Sequence, residues 1–427
     1  MFLGEDRMTT KPVTAVILGA GHRSLIYGDV SFRFPEKLKI VAVADINPEK
    51  AKDAAMRYGI PEERVFYSLE ELVAAGKIAD VVINGTLDEL HVPTSLPLLA
   101  LGYDILLEKP FAINSAELAE LYVAARRSKS RIFVCHVLRY SAYYRAIHEL
   151  LSQGAIGKVV SINMAADVSL HHIIVSFVRG QWNNEITASP LFLAKCCHDI
   201  DLMTWLMGEN TPETVYSVGG DYTFDEKLAP QDAGTRCLVD CPREKDCPYS
   251  AAKHYLGKNC GHAYLVWGNA DLTEEEKINA LKTENPYGRC VWKCDHKGVD
   301  HQTVTVTFAD GAIGVFTFTG GAPKDERRIH IVGTKGSISG VFDENRFTLR
   351  HYDDEKGYTE DVIEGVVPAN ELHGGGDENL VIDFCNYIQG GEPSCSCSEL
   401  NESLTGHLVV FAAEKSRKTG KPVQLNL

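Results

Sequence analysis

The sequence lacks any apolar run close to the roughly 20 residues that a bilayer-spanning helix needs, so a helical membrane protein is excluded from the outset. It contains no internal repeat and no low-complexity tract. Positive charge is scarce: 43 Lys and Arg stand against 58 Asp and Glu, a formal net charge of −15. Nucleic acid as a main partner needs a basic surface that displaces counterions, and an anionic membrane surface needs the same; neither is expected. The opening stretch "MFLGEDRMTTKP" has early acids and no continuous apolar core, so it does not read as a signal peptide and a cytoplasmic enzyme is expected. Cysteine, by contrast, is not scarce. The 12 cysteines fit that compartment as thiols or metal ligands rather than disulfides.

With 427 residues, 44% of them hydrophobic, the chain is long enough for two domains. Over residues 1–137, the continuous apolar runs "TAVILGA", "KIVAVAD", "DVVING", "DILLEKP" and "RIFVCHV" alternate with stretches of helical spacing. Continuous runs are the mark of strands covered on both faces, so this part is expected to be an α/β doubly wound domain. From 138 to 427 the runs alternate apolar and polar residues and several are joined by "DG" or "KG" turns. That pattern predicts an α+β domain with a large, mostly antiparallel sheet, with helices at 190–207, 375–390 and 399–418. Residues 221–300, rich in Cys, Pro and charge, read as an insertion or lid.

The first predicted strand runs into "GAGHRS". Gly19 permits a tight turn and Gly21 lets the backbone approach a pyrophosphate at a helix N-terminus; Ser24 replaces the usual third glycine and is small enough to keep helix and strand close. His22 and Arg23 belong to the same loop, Arg23 either closing over a cofactor or lying on the surface. Asp45, about two dozen residues on at the end of the second strand, is placed for the adenosine ribose hydroxyls. Ile46 follows it where a basic residue would hold a 2′-phosphate, so NAD is expected over NADP.

"GAGHRS", "ADINPEKA", Asn84-Gly85-Thr86 with His91, "GYDILLEKPFA", "GAIGKVVSI", "CHDIDLMTWLMG", "RRIHIVGTKGSISG" and "HGGGD" occur in this order. In these motifs the chain resembles the Gfo/Idh/MocA oxidoreductases, the family of glucose–fructose oxidoreductase and inositol dehydrogenase. The resemblance implies a Rossmann domain followed by the sheet domain, whose outer face makes a homodimer or homotetramer. It adds Thr86, His91 and Glu108 to the cofactor-binding residues, places Lys109 beside the nicotinamide and the reacting carbon, and implies a cis peptide before Pro110.

The implied reaction is NAD-dependent oxidation of a secondary hydroxyl on a sugar, inositol or related polyol. Hydride goes to the cofactor, and the protein orients substrate and relays the proton. Bringing a lysine from about 10.4 down to neutrality requires about 4 kcal/mol of differential interaction. Without that, Lys109 stays a cation that polarises the oxygen, and His198 is the candidate base. Better-known relatives carry an aspartate four residues before this histidine; here Ala194 stands there and Lys195 follows. Lys195 and His198 share a helix face, so Lys195 is a third catalytic candidate or else a solvated first-turn residue, and the aspartate's role would pass to Asp199, Asp201 or Asp377. The altered pattern keeps an alternative open, a glycosidase or lyase that transiently oxidises sugar carbon 3 with no net cofactor turnover. A non-catalytic nucleotide sensor ranks last because Lys109 is present.

For the substrate, Arg139 and Tyr140 match the family's basic–aromatic pair, and "LHHIIVSFVRGQWNNE" supplies His171, His172, Arg179 and Trp182. Arg179 is read either as holding a carboxylate or phosphate or as a surface residue beside a packed Trp. Asp377 in "HGGGDEN" completes the set. Cys237, Cys241, Cys247, Cys290 and Cys294, with Cys260 nearby, have spacings that allow a structural zinc, against the simpler reading of reduced cysteines. Cys196 and Cys197 point to different sides of a helix, and small apolar packing suits at least one of them.

Overall fold

The computed structural model describes residues 11–185, 188–257, 261–268, 271–367 and 372–426. The chain forms two compact units: residues 1–145 with 367–404, and residues 146–366 with 405–427. The division at 137/138 therefore needs a second crossing. The helix Gly376–Ile388 returns to the first unit because Leu380, Val381, Phe384 and Cys385 bury their apolar face against Phe133, Val137 and Tyr140.

The first unit carries six strands: β1 (Val13–Leu18), β2 (Leu38–Ala44), β3 (Val65–Phe66), β4 (Val81–Asn84), β5 (Asp104–Leu107) and β6 (Ile132–Val134). All pair in parallel in the order β3-β2-β1-β4-β5-β6. The buried runs of β1 and β4 are covered on both faces, as their continuous hydrophobicity requires. Strand order reverses between β1 and β4, which opens a crevice at the carboxyl ends of these strands. Only β3, two residues long, has too little sequence to announce itself.

The second unit has nine: β7 (Val159–Ser169), β8 (Pro212–Gly220), β9 (His301–Phe308), β10 (Ile313–Ala322), β11 (Glu326–Gly333), β12 (Gly336–Val341), β13 (Arg346–Asp353), β14 (Gly357–Glu364) and β15 (Val423–Gln424). They form one sheet in the order β14-β13-β12-β11-β7-β10-β9-β8-β15. Every pairing is antiparallel except β10 with β7. In β7 the residues Ile162, Met164, Ala166 and Val168 are buried and alternate with less buried neighbours, which commits one face to the core. That face packs the helix Leu191–Leu206, with Phe192 against Phe316 and Met203 filling the space above Gly314. Tyr216, Val218 and Ile313 stand exposed. No helix among the described residues is long and apolar enough to cross a membrane.

Among the described residues of 221–300 the helices are short, the longest being Glu274–Lys282, which starts on a reciprocal Thr273–Glu276 cap. This segment folds around the stretch 171–185 of its own unit. Asn183 Nδ2 donates to Cys294 O, His296 Nδ1 meets Phe177 O, and Arg179 donates to Tyr249 O and Arg289 O.

Candidate active site

In the first unit, β1 ends in Gly19, whose φ of 78° suits glycine. A Cβ there would stand 2.8 Å from the carbonyl oxygen of Gly85, the residue after β4. Gly21 is under no such internal constraint, since its Cβ would stand 4.0 Å from the same oxygen; the missing side chain there leaves room for a ligand. Gly21 is the N-cap of the helix His22–Arg33, and that helix has no side-chain cap and no acid in its first turn. Such an end receives an anion on backbone amides and the helix dipole. Ser24 is fully buried, and a Cβ on Gly85 would meet its Oγ at 2.1 Å, so glycine at 85 and serine at 24 fit one another.

Asp45 lies just beyond β2 with both oxygens engaged: Oδ2 accepts from Ala20 N and Oδ1 from Asn47 N, each at 2.7 Å. The carboxylate is thereby fixed beside the glycine loop. Thr86 is tied by its hydroxyl to Asn84 Oδ1 (2.9 Å). His91 Nδ1 lies 2.8 Å from Pro110 O and Nε2 lies 3.1 Å from Thr86 O, so one imidazole links the Thr86 turn to the loop after β5. The Lys109–Pro110 bond is cis.

Glu108, immediately after β5, is buried. Its Oε1 accepts from Arg23 Nε (2.9 Å) and from the Tyr27 hydroxyl (2.5 Å), and its Oε2 from the Lys109 amide (2.9 Å). Burial alone would raise its pKa, but Arg23, then Lys109 and Tyr27, bring it below the usual carboxylate value. Arg23 also reaches Asp377 Oδ1 and Tyr27, and His373 Nδ1 lies 2.8 Å from Asp377 Oδ2. Asp377 is buried; despite desolvation, His373 and Arg23 hold it at about 2. Glu108 and Asp377 take up the guanidinium of Arg23, whose side chain stays 29% exposed. His22 is pushed down by burial and by Arg23. Tyr27 was missed from sequence, although it sits four residues after Arg23 on one helix face.

Arg139 and Tyr140 are corrections. Both are almost fully buried; Arg139 donates to Cys397 O and Glu402 O, and the Tyr140 hydroxyl receives from Ser398 N. Their polar groups serve the junction with residues 396–403 of their own unit rather than a ligand.

In the second unit the helix Leu191–Leu206 carries Lys195 and His198, with Cys196 and Cys197 buried at its core face. Burial pushes the Cys196 thiol up, consistent with packing. Asp199 pairs its Oδ1 with Arg327 Nε at 2.8 Å in a site where its side chain is 1% exposed. Asp199 and Asp377 are thus each held by an arginine. His172 lies 2.9 Å from Asp325 Oδ1. Burial first, and then the positive charge of Lys195, lower it to about 3. Lys195 is therefore close enough to His172 for its charge to act on the imidazole.

His171 meets His254 (Nδ1 to Nδ1, 3.1 Å) and Gly261 O (2.6 Å), and His172 stacks on His262 with centroids 4.4 Å apart. The insertion thus brings two histidines onto this pair, a grouping that sequence separation concealed. Arg179 is a further correction: it is 1% exposed and donates to Arg289 O, Tyr249 O and Cys237 Sγ, so its donors hold the insertion. Trp182 rests near Phe177, centroids 6.0 Å apart, as a packed residue of the same stretch. Among the described residues no three His, Cys, Asp or Glu side chains are grouped to hold a single metal ion. The structural zinc that the spacings of Cys237, Cys241, Cys247, Cys290 and Cys294 allowed is therefore not supported; Cys260 lies outside the described residues.

Comparison with known proteins agrees with this architecture. Residues 13–136 match the model described as "Oxidoreductase family, NAD-binding Rossmann fold", and residues 148–425 match "Oxidoreductase family, C-terminal alpha/beta domain". YteT of Bacillus subtilis, named as an oxidoreductase, is 26% identical over 370 residues, 82% of this chain and 83% of its own length. An inositol 2-dehydrogenase of Burkholderia lata is 26% identical over 178 residues, 41% of this chain and 49% of its own. A levoglucosan dehydrogenase solved with NADH and levoglucosan superposes with a TM-score of 0.70 over 97% of this chain and 99% of that one, at 17% identity. That last likeness is one of fold.

Proposed function

The chain belongs to the Gfo/Idh/MocA family of NAD-binding oxidoreductases, and from that premise we propose that it oxidises a secondary hydroxyl of a sugar, inositol or related polyol. The observation that carries the reading is the carboxyl edge of the parallel sheet. There the loops after β1, β4 and β5 bring Gly19–Gly21, Gly85–Thr86 and Glu108–Lys109 to one crevice. The residues present fit a dinucleotide. The uncapped helix start after Gly21 suits the pyrophosphate, and the fixed Asp45 carboxylate suits the ribose hydroxyls. Asp45 with the exposed Ile46 supports NAD over NADP, since a 2′-phosphate would meet a negative charge and no cation.

When bound, the nicotinamide accepts the hydride. In this reading Lys109, held by the anchored Glu108 before it and Pro110 after it, polarises the substrate hydroxyl. His198 takes its proton, with a reference pKa near neutrality, and Lys195 adds positive charge that favours an alkoxide. His171, His172 and Trp182 remain candidates for the hydroxyl-rich substrate. Homo-oligomerisation through the sheet face bearing Tyr216, Val218 and Ile313 belongs to the same proposal, as does a reducing compartment such as the cytoplasm, supported by 11 described cysteines that are all thiols. The dehydrogenase names among its relatives do not favour the glycosidase alternative.

The test is incubation of the purified protein with NAD and a panel of sugars, inositols and aryl glycosides, following nicotinamide reduction and aglycone release together. Stoichiometric reduction with a polyol is expected. Aglycone release without net reduction would overturn the reading. Lys109→Ala and His198→Ala should each lower kcat by about 10²–10⁴ while NADH still binds.

A further inference from the structure

The insertion encloses a feature that hydride transfer does not use. A cavity of about 220 Å³ is lined by Cys237, Cys241, Cys247 and Cys290 together with Arg179 and Trp292. Two backbone bonds hold its opposite walls in register: Cys237 N donates to Gly288 O at 3.0 Å, and Cys290 N donates to Thr235 O at 2.8 Å. The thiols thus come from two chain stretches joined by a short antiparallel bridge, Arg236 with Arg289.

The geometry is wrong for one ion. A tetrahedral zinc with Zn–S near 2.3 Å draws four sulfurs to about 3.8 Å from one another and leaves no void. Here the four cysteines line a void, and no three described ligands form a single-ion group. We propose that Cys237, Cys241, Cys247 and Cys290 ligate an iron–sulfur cluster, whose iron and inorganic sulfide occupy the space between the thiolates. On ligation each of the four thiols gives up its proton to solvent and forms one Fe–S bond; no electron transfer is assigned. The surroundings support this. Arg179 is buried with Nη2 3.4 Å from Cys237 Sγ, a fixed cation against the negative charge of four thiolates. Cys294 donates its thiol hydrogen to Cys290 O at 2.9 Å and does not line the cavity, so it is excluded from the ligand set. The cluster would staple the 237–247 stretch of the insertion to the stretch that carries Cys290.

The full-length protein is purified anaerobically, reconstituted with ferrous and ferric iron and sulfide, and analysed for iron, zinc and acid-labile sulfide. Iron and sulfide in equal amounts, two or four of each per chain, with broad visible absorbance, are expected. One zinc per chain without sulfide, or no bound metal at all, would overturn the proposal. Cys241→Ser and Cys290→Ser should each lose most of the iron, and Cys294→Ser should keep it. Full loading of a Cys241→Ser, Cys247→Ser double variant would overturn the assignment. A readout needing no variant is iodoacetamide labelling with peptide mass spectrometry. Reconstitution should protect Cys241 and Cys247 while the exposed Cys395 stays reactive. Equal labelling of Cys241 and Cys247 with and without reconstitution counts against the cluster.

Discussion

Arg23 Nε donates to Glu108 Oε1 across 2.9 Å, tying the first turn after the glycine loop to the carboxylate that precedes Lys109. Tyr27 and Asp377 complete the network from the same helix and from the returning helix. Arg23 therefore acts as a strut for the neighbour of Lys109, the lysine proposed to polarise the substrate hydroxyl. Its positive charge is matched by two buried carboxylates, which is why those acids stay ionised.

Asp377→Ala removes one of these carboxylates and should lower the free energy of unfolding by about 2–4 kcal/mol, short of a fully buried pair because Arg23 is partly exposed. Urea denaturation checks it. Asp377 is held at about 2 in the fold against about 3.9 unfolded, so its contribution is present above about pH 4 and is lost as pH falls through about 2. Asp377→Asn should flatten the stability profile in that window.

Asp45→Ala should weaken NADH binding about tenfold, or about 1.4 kcal/mol, in a fluorescence titration. An unchanged Kd would remove Asp45 from the cofactor site.

Gly19→Ala places a Cβ 2.8 Å from Gly85 O at a φ of 78°. The strain should cost about 1–3 kcal/mol in stability and weaken NADH binding with it. Differential scanning calorimetry and the same titration read both.

His172 is lowered to about 3 by burial and then by Lys195. A histidine depressed in the fold is neutral there while the unfolded chain takes up a proton. The stability it permits is thus full above about pH 6.5 and falls as pH drops toward 3. Lys195→Met should raise the His172 pKa in an NMR titration and lessen that acid loss; an unmoved His172 would place Lys195 elsewhere.

Arg327→Ala leaves Asp199, 1% exposed, as an uncompensated buried charge and should destabilise by about 3–5 kcal/mol, measured by urea denaturation. Arg327→Lys should recover part of it.

The two sheets, the glycine turn and Asp45 were legible in sequence because they rest on local rules: hydrophobic period, φ preference and the spacing of a β-α-β unit. "LAKCCHDID" was likewise legible as a helix with packed cysteines, and its histidine as the acid/base candidate. What sequence could not decide were partners separated by tens to hundreds of residues. Arg139 read as a ligand contact, and Arg179 and Arg23 as either a ligand contact or a surface residue, since an arginine's chemistry is the same whatever it meets. The fold gave Arg139 to carbonyls near residue 400, Arg179 to the insertion, and Arg23 to Glu108 and Asp377. The spacing of the five grouped cysteines left zinc open beside reduced thiols, while the tertiary structure brings four of them to line one cavity and has the fifth, Cys294, donate to Cys290 O. Local propensity specifies which elements form. Which buried charge or thiol meets which partner depends on long-range packing, where desolvation makes each such group take the partner that the tertiary structure brings to it.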